Sequence, residues 1–174
     1  MYLIMFFITL MLSLKTSWFY NNFTYLSYQD DLRIYYLIWL TLLSLFLLFK
    51  TIKIYRQFSY FRKREIGLIV ISFISMLVGG YLPYHLDSQD LTSTLHIIFS
   101  MIATISLLII IQFLINHLLS YDFNIYQKIS ANYRCQLLIL GMLIVMFGSI
   151  NSIVELFFTF VVLNNLAKIE KSVT

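Results

Sequence analysis

Ionisable side chains are scarce in this chain, so the few that interrupt its apolar stretches are where chemistry would reside. His96 opens the apolar run Leu95–Leu119, and Glu155 lies inside the last apolar run, Cys135–Ala167. An ionisable group placed at mid-bilayer costs about 2.5–3.5 kcal/mol on insertion scales, somewhat less near an interface. Such a residue therefore marks either a function or a pairing between helices. If both runs cross a membrane, His96 and Glu155 come to similar depth, with Asn151 and His85 nearby. Asp87 and Asp90 would keep the short connection above them hydrated. A carboxylate meeting an imidazole there could form a polar pocket for a lipid headgroup, a proton or a metal. The same pair could instead orient two helices, and Glu155 could also snorkel into the outer turn.

Other constellations are missing. There is no Gly-rich phosphate loop, no H-E-x-x-H and no G-x-S-x-G. A single cysteine, Cys135, excludes a dithiol oxidoreductase and a thiolate metal cluster, and is expected to be a packing residue. His96 and His117 would lie about 30 Å apart on one helix, which argues against haem. His117, Gln112 and Asn116 read as interfacial, and no metal or cofactor is expected. Asn22-Phe23-Thr24 is a glycosylation sequon that matters only in a secretory pathway. A composition heavy in Ile, Phe, Tyr, Asn and Lys suggests a bacterial source.

The elements that must position these residues are membrane spans. The 174 residues are 60% hydrophobic, 18% aromatic and 11% charged, with a mean hydropathy of +0.85. Soluble domains run about 45–50% apolar and about 25% charged, so neither a soluble globule nor a disordered chain fits. Continuous apolar runs, rather than alternating segments of about ten residues, favour helices over a barrel. Six spans are expected over 2–14, 33–49, 66–84, 95–119, 134–149 and 153–168, forming one all-α domain. The last two come from splitting Cys135–Ala167 at a tight turn, Ile150–Ser152, because unbroken it would approach 50 Å against a core of about 30 Å. Five spans result if it stays whole. The stretch 2–14 lacks the basic flank and small-residue site of a cleaved leader, so it is expected to be retained as the first span. Gly79, Gly80 and Pro83 should end the third span, and Ser93 or Thr94 should cap the fourth. The aromatic segment around Leu26–Leu32 is too apolar for a free loop, and should cover the outer mouth of the bundle or lie among headgroups.

The charges supply an independent check. Lys50, Lys53, Arg56, Arg62, Lys63 and Arg64 crowd one connection, which is read as a membrane-surface basic loop. Lys128, Arg134, Lys168 and Lys171 fall on the same side of a six-span layout, leaving Lys15 and Arg33 opposite. Cytoplasmic connections are the ones enriched in Lys and Arg, so both termini are expected in the cytoplasm of a cell-membrane protein. This basicity is a topology signal lying against anionic headgroups, not a nucleic-acid site.

The stretch GGYLPYHLDSQDLTSTLHIIFSMIA resembles bacterial six-span families of unknown function that are distantly similar to the Frag/DRAM/Sfk membrane proteins. The likeness rests on Gly80, Pro83 and His96, with an acidic residue, Glu155, opening the last span. It implies a six-helix bundle and no established reaction. The favoured role is non-enzymatic: lipid binding, or service as an accessory or immunity-type partner of another membrane protein. Two alternatives remain open. One is a small transporter or channel subunit with Ser72, Ser75, Thr104 and Ser106 along a narrow path. The other is a lipid-modifying enzyme with His96 and Glu155 as acid–base partners.

Overall fold

Apolar runs in this chain fold as helices because a spanning segment must satisfy every backbone N–H and C=O within itself. The computed structural model describes residues 1–58, 63–84 and 90–173. His85, Asp87 and Arg62, singled out above, lie outside the described residues. The helices are α1 (Tyr2–Ser13), α2 (Thr24–Tyr28), α3 (Asp30–Tyr55), α4 (Lys63–Tyr81), α5 (Leu91–Leu118), α6 (Phe123–Phe147) and α7 (Ser152–Val173). Five of them, α3 to α7, are long and apolar enough to cross a membrane, so this is a multi-pass membrane protein. The first helix, α1, has 12 residues and falls below that length.

The long helices overrun their apolar cores. Lys50 and Lys53, expected in a loop, lie within α3, because nothing in Lys50–Tyr55 breaks the helix where the grease ends. Likewise α6 starts at Phe123 rather than Arg134. Asp122 caps it, its carboxylate accepting from the N–H groups of Asn124 at 2.8 Å and Ile125 at 3.1 Å. At the other end of α6, Gly148 adopts φ 66°, the left-handed conformation that glycine takes without strain. The chain then turns through 149–151 into α7, so the last apolar run is indeed two helices.

The glycine pair does something other than stop a helix. Helix α4 runs through Gly79 and Gly80 to Tyr81, and ends just short of Pro83. A Cβ on Gly80 would overlap Leu40 of α3, while one on Gly79 would meet Ser100 Oγ of α5 at 3.0 Å. Small residues let helices approach closely where lipid offers no hydrophobic drive to associate. Capping of α5 also differs from expectation. Asp90, not Ser93 or Thr94, is the cap, accepting from the Ser93 N–H at 2.9 Å. Ser93 and Thr94 lie inside the helix because the Asp90 carboxylate, just before its first residue, takes that N–H.

Fully buried residues gather on α5, α7 and α3. Ile110, Ile111, Leu114, Ile115 and Leu118 of α5 are fully buried, beside Leu166 and Ile169 of α7 and Ile54 of α3. By contrast, α6 leaves Leu138, Met142 and Val145 exposed and sits at the edge. Cys135 is exposed on that same helix rather than packed. Helix α1 and the turn that follows it are held along their length. Tyr2 donates to Glu170 of α7 at 2.8 Å, Trp39 of α3 donates to Thr9 at 2.9 Å, and Thr16 donates to Ser152 of α7 at 2.7 Å.

Gly80→Val should destabilise the folded protein by about 1–3 kcal/mol, as overpacking does, and lower its melting temperature in detergent. Gly141 faces open space. Gly141→Ala should therefore leave the melting temperature unchanged or raise it, measured by the same thermal scan.

Candidate functional site

The end of the bundle that carries α2 gathers the residues first singled out. His96 lies in the second turn of α5, is buried, and points its ring between two partners. Its Nδ1 is 2.7 Å from the carbonyl oxygen of Gly79. A carbonyl only accepts, so Nδ1 is the donor and carries the proton. Nε2 faces Thr24 Oγ1 at 3.3 Å. Glu155, in the first turn of α7, accepts from the backbone N–H of Phe23 through Oε2. The imidazole and the carboxylate are thus not hydrogen-bonded to each other. They hold successive residues, Phe23 and Thr24, at the start of α2.

The rest of this end has the same character. Asn151 is buried and donates through Nδ2 to the Phe19 carbonyl at 3.2 Å, while its Oδ1 accepts from the Val154 N–H at 3.1 Å. Ser152 donates to the Asn21 carbonyl through both N–H and Oγ, each at 2.7 Å. Phe23 and Leu26 are buried, and the Phe23 ring meets Trp39 edge-on at 5.2 Å. The aromatic segment therefore packs into the bundle through Phe23 and Leu26, while Trp18, Phe19, Tyr20 and Tyr28 stay exposed. Asp90 belongs to the α5 cap described above. Together these bonds form a strap: polar groups of α5 and of the start of α7 hold residues 19–24, His96 through the Thr24 hydroxyl and the others through backbone groups.

A second polar centre lies at the opposite, basic end, and two of its members were read as loop cations. Glu170 of α7 receives Lys50 Nζ at 2.8 Å and Lys53 Nζ at 2.9 Å, together with the Tyr2 hydroxyl. The Lys50 ammonium also sits 5.0 Å from the centre of the Tyr2 ring. One carboxylate thereby gathers α1, α3 and α7. The Lys50 side chain is 11% exposed and that of Lys53 48%, so only the first carries the consequences of burial. Arg56, Lys63 and Arg64 remain exposed at this end. Sequence reasoning missed Glu170 because it lies in a charged tail, where a carboxylate ordinarily stays in water.

Also missed was a pairing of Glu65 with His117. Glu65 Oε2 lies 2.9 Å from His117 Nε2, and the carboxylate side chain is only 4% exposed. Phe58 stacks on the imidazole with ring centres 5.2 Å apart. The signal was present as Glu65 near the start of one span and His117 near the end of the next, which an antiparallel hairpin brings level.

The polar groups inside the bundle are largely committed to neighbours. Ser72 donates to the Ala103 carbonyl, Thr104 to the Ser100 carbonyl, and Asn165 to Gln136 Oε1 at 2.6 Å. Among the described residues, no three His, Cys, Asp or Glu side chains are placed to hold a metal ion. No family model, curated protein or solved structure matches the chain.

Two substitutions separate these roles. Glu155→Gln keeps an oxygen for the Phe23 N–H, whereas Glu155→Leu strands it at about 1–3 kcal/mol. Hydrogen exchange at residues 21–28 should accelerate in the Leu variant and stay near wild type in the Gln variant. At the basic end, Lys50→Ala removes the more buried ammonium partner of Glu170, leaving Lys53 and Tyr2, and should destabilise by about 1–3 kcal/mol, against about 0–1 kcal/mol for Lys53→Ala. Thermal unfolding in detergent reads both.

Proposed function

We propose that the chain is a six-span, non-enzymatic protein of the cytoplasmic membrane, with both termini in the cytoplasm, that works by binding lipid or a second membrane protein. The sixth crossing is α1. What supports it is the registry with α7: Tyr2 reaches Glu170 near one end of that helix, and Thr16 reaches Ser152 at the other. A segment tied at both ends of a membrane-length helix traverses the same depth. Orientation follows from charge, since Lys50, Lys53, Arg56, Lys63, Arg64, Lys168 and Lys171 cluster at one end and cytoplasmic ends are the basic ones.

The single observation that carries the role is the commitment of His96 and Glu155 to the strap at Phe23 and Thr24. An acid–base pair needs its two groups within hydrogen-bond reach of a shared substrate, or one water apart. Here each group anchors the chain instead, which favours architecture over catalysis. Transport is disfavoured on similar grounds, because Ser72 spends its hydroxyl on the Ala103 carbonyl and Thr104 sits on the exposed face of α5. The likeness to the bacterial six-span families distantly similar to Frag/DRAM/Sfk proteins belongs to this reading. Nucleic acid has no place in it.

Reporter fusions at each terminus, expressed in a bacterium, should both report cytoplasmic placement. An exterior carboxyl terminus would remove the sixth span. Mild detergent extraction should then yield the protein with phospholipid or a membrane partner attached, and a bare monomer would refute the binding role.

A further inference from the structure

A cleft at the basic end differs in character from the strap at the other. It has a volume of about 230 Å³ and is lined by Arg64, Glu65, Phe113, Asn116 and His117, between the start of α4 and the end of α5. Its single carboxylate is occupied, since Glu65 Oε2 is hydrogen-bonded to His117. The imidazole is fixed in turn by the Phe58 stack and by the edge of Tyr55 at 5.8 Å. Asn116 Oδ1 accepts from Gln112 Nε2 at 2.8 Å, which leaves the Asn116 amide N–H groups to donate outward. Arg64 is exposed, and among the described residues no carboxylate pairs with it. The cleft therefore offers a guanidinium that no carboxylate pairs with among the described residues, beside an amide donor, with Glu65 hydrogen-bonded to His117.

Below the cleft the chemistry changes abruptly. Phe113, Ile109, Ile105 and Ile102 continue the Asn116 face of α5, and the three isoleucines are exposed. This spacing of three and four residues keeps them on one stripe. Polar donors at the basic interface, above an apolar stripe running into the bilayer, match the two halves of a phospholipid.

We propose that this cleft binds an anionic phospholipid, its phosphodiester held by Arg64 and Asn116 and an acyl chain laid along Phe113, Ile109 and Ile105. Guanidinium suits phosphate because its planar fork can donate two N–H bonds to two oxygens at once. Glu65 and His117 are positioning residues. Their hydrogen bond holds the carboxylate against the imidazole rather than against Arg64. The assignment rests on the lipid-binding reading above and narrows it to one site and one headgroup class.

Native mass spectrometry of the full chain tests it, with delipidated protein titrated in detergent against phosphatidylglycerol, phosphatidylcholine or inorganic phosphate. Wild type should retain phosphatidylglycerol in preference to phosphatidylcholine, and millimolar phosphate should not displace it. Arg64→Gln should weaken phosphatidylglycerol binding about tenfold, the loss expected for one charge-assisted contact. Asn116→Leu should weaken it less. Lys128→Gln, which removes an exposed charge from α6 outside the cleft, should bind like wild type. Equal losses in Arg64→Gln and Lys128→Gln would overturn the site in favour of diffuse surface charge, and so would displacement by free phosphate. Lipid retention indifferent to Arg64 and Asn116 would sink this site alone, whereas no retained lipid in wild type would sink the broader lipid-binding reading as well.

Discussion

Hydrocarbon supplies no water to a polar group, so each one inside the bundle must find its partner in the chain itself. Much of this architecture follows from that constraint. Trp39 needs an acceptor for its indole N–H and takes Thr9, which fastens α1 to α3. Tyr133 donates to the Leu108 carbonyl and joins α6 to α5. Asn165 donates to Gln136 Oε1 and joins α7 to α6. Hydrophobic burial cannot select these contacts, because lipid tails are as apolar as the side chains facing them. Hydrogen bonds and close glycine contacts are left to choose which helix lies beside which.

The two ends of the bundle use this constraint differently. At the α2 end, His96 of α5 meets the Thr24 hydroxyl, and polar groups at the start of α7 capture backbone groups of residues 19–23, turning an aromatic connection into a packed cover. At the basic end, charge meets charge. Glu170 collects two ammonium groups and a phenol, while Glu65 engages His117. A surface ion pair contributes little in water. Lys50 and Glu170 are largely buried, however, so losing one partner costs far more than the pair itself is worth. The exposed cations Arg56, Lys63 and Arg64 surround these pairs and keep the end basic.

Some of the architecture was readable from residue order alone. Helical class, the positions of α3, α4, α5 and α7, and the division of the last apolar run all follow from hydropathy and length. Helix ends were less legible. Lys50 and Lys53 read as loop because hydropathy tracks the bilayer, while a helix continues until a cap or breaker stops it. Asp122 and Asp90 were such signals, and each extends a helix beyond its apolar core. Gly79 and Gly80 read as breakers because the same residue serves termination and close approach. Only the positions of Leu40 and Ser100 separate the two.

Sequence by itself determined that this chain lives in a membrane as a helical bundle, since no water-soluble packing can hide so much apolar surface in 174 residues. It also determined that His96 and Glu155 carry structural or functional weight, because ionisable groups in such stretches are costly. The tertiary structure decided what they hold: Glu155 the backbone N–H of Phe23, and His96 the Thr24 hydroxyl and the Gly79 carbonyl, rather than one another. It likewise placed Glu65 against His117 and Glu170 against Lys50, partners 52 and 120 positions apart. Hydropathy sets the depth of a residue, but rotation and lateral neighbours are set by packing. A pairing between helices depends on all three.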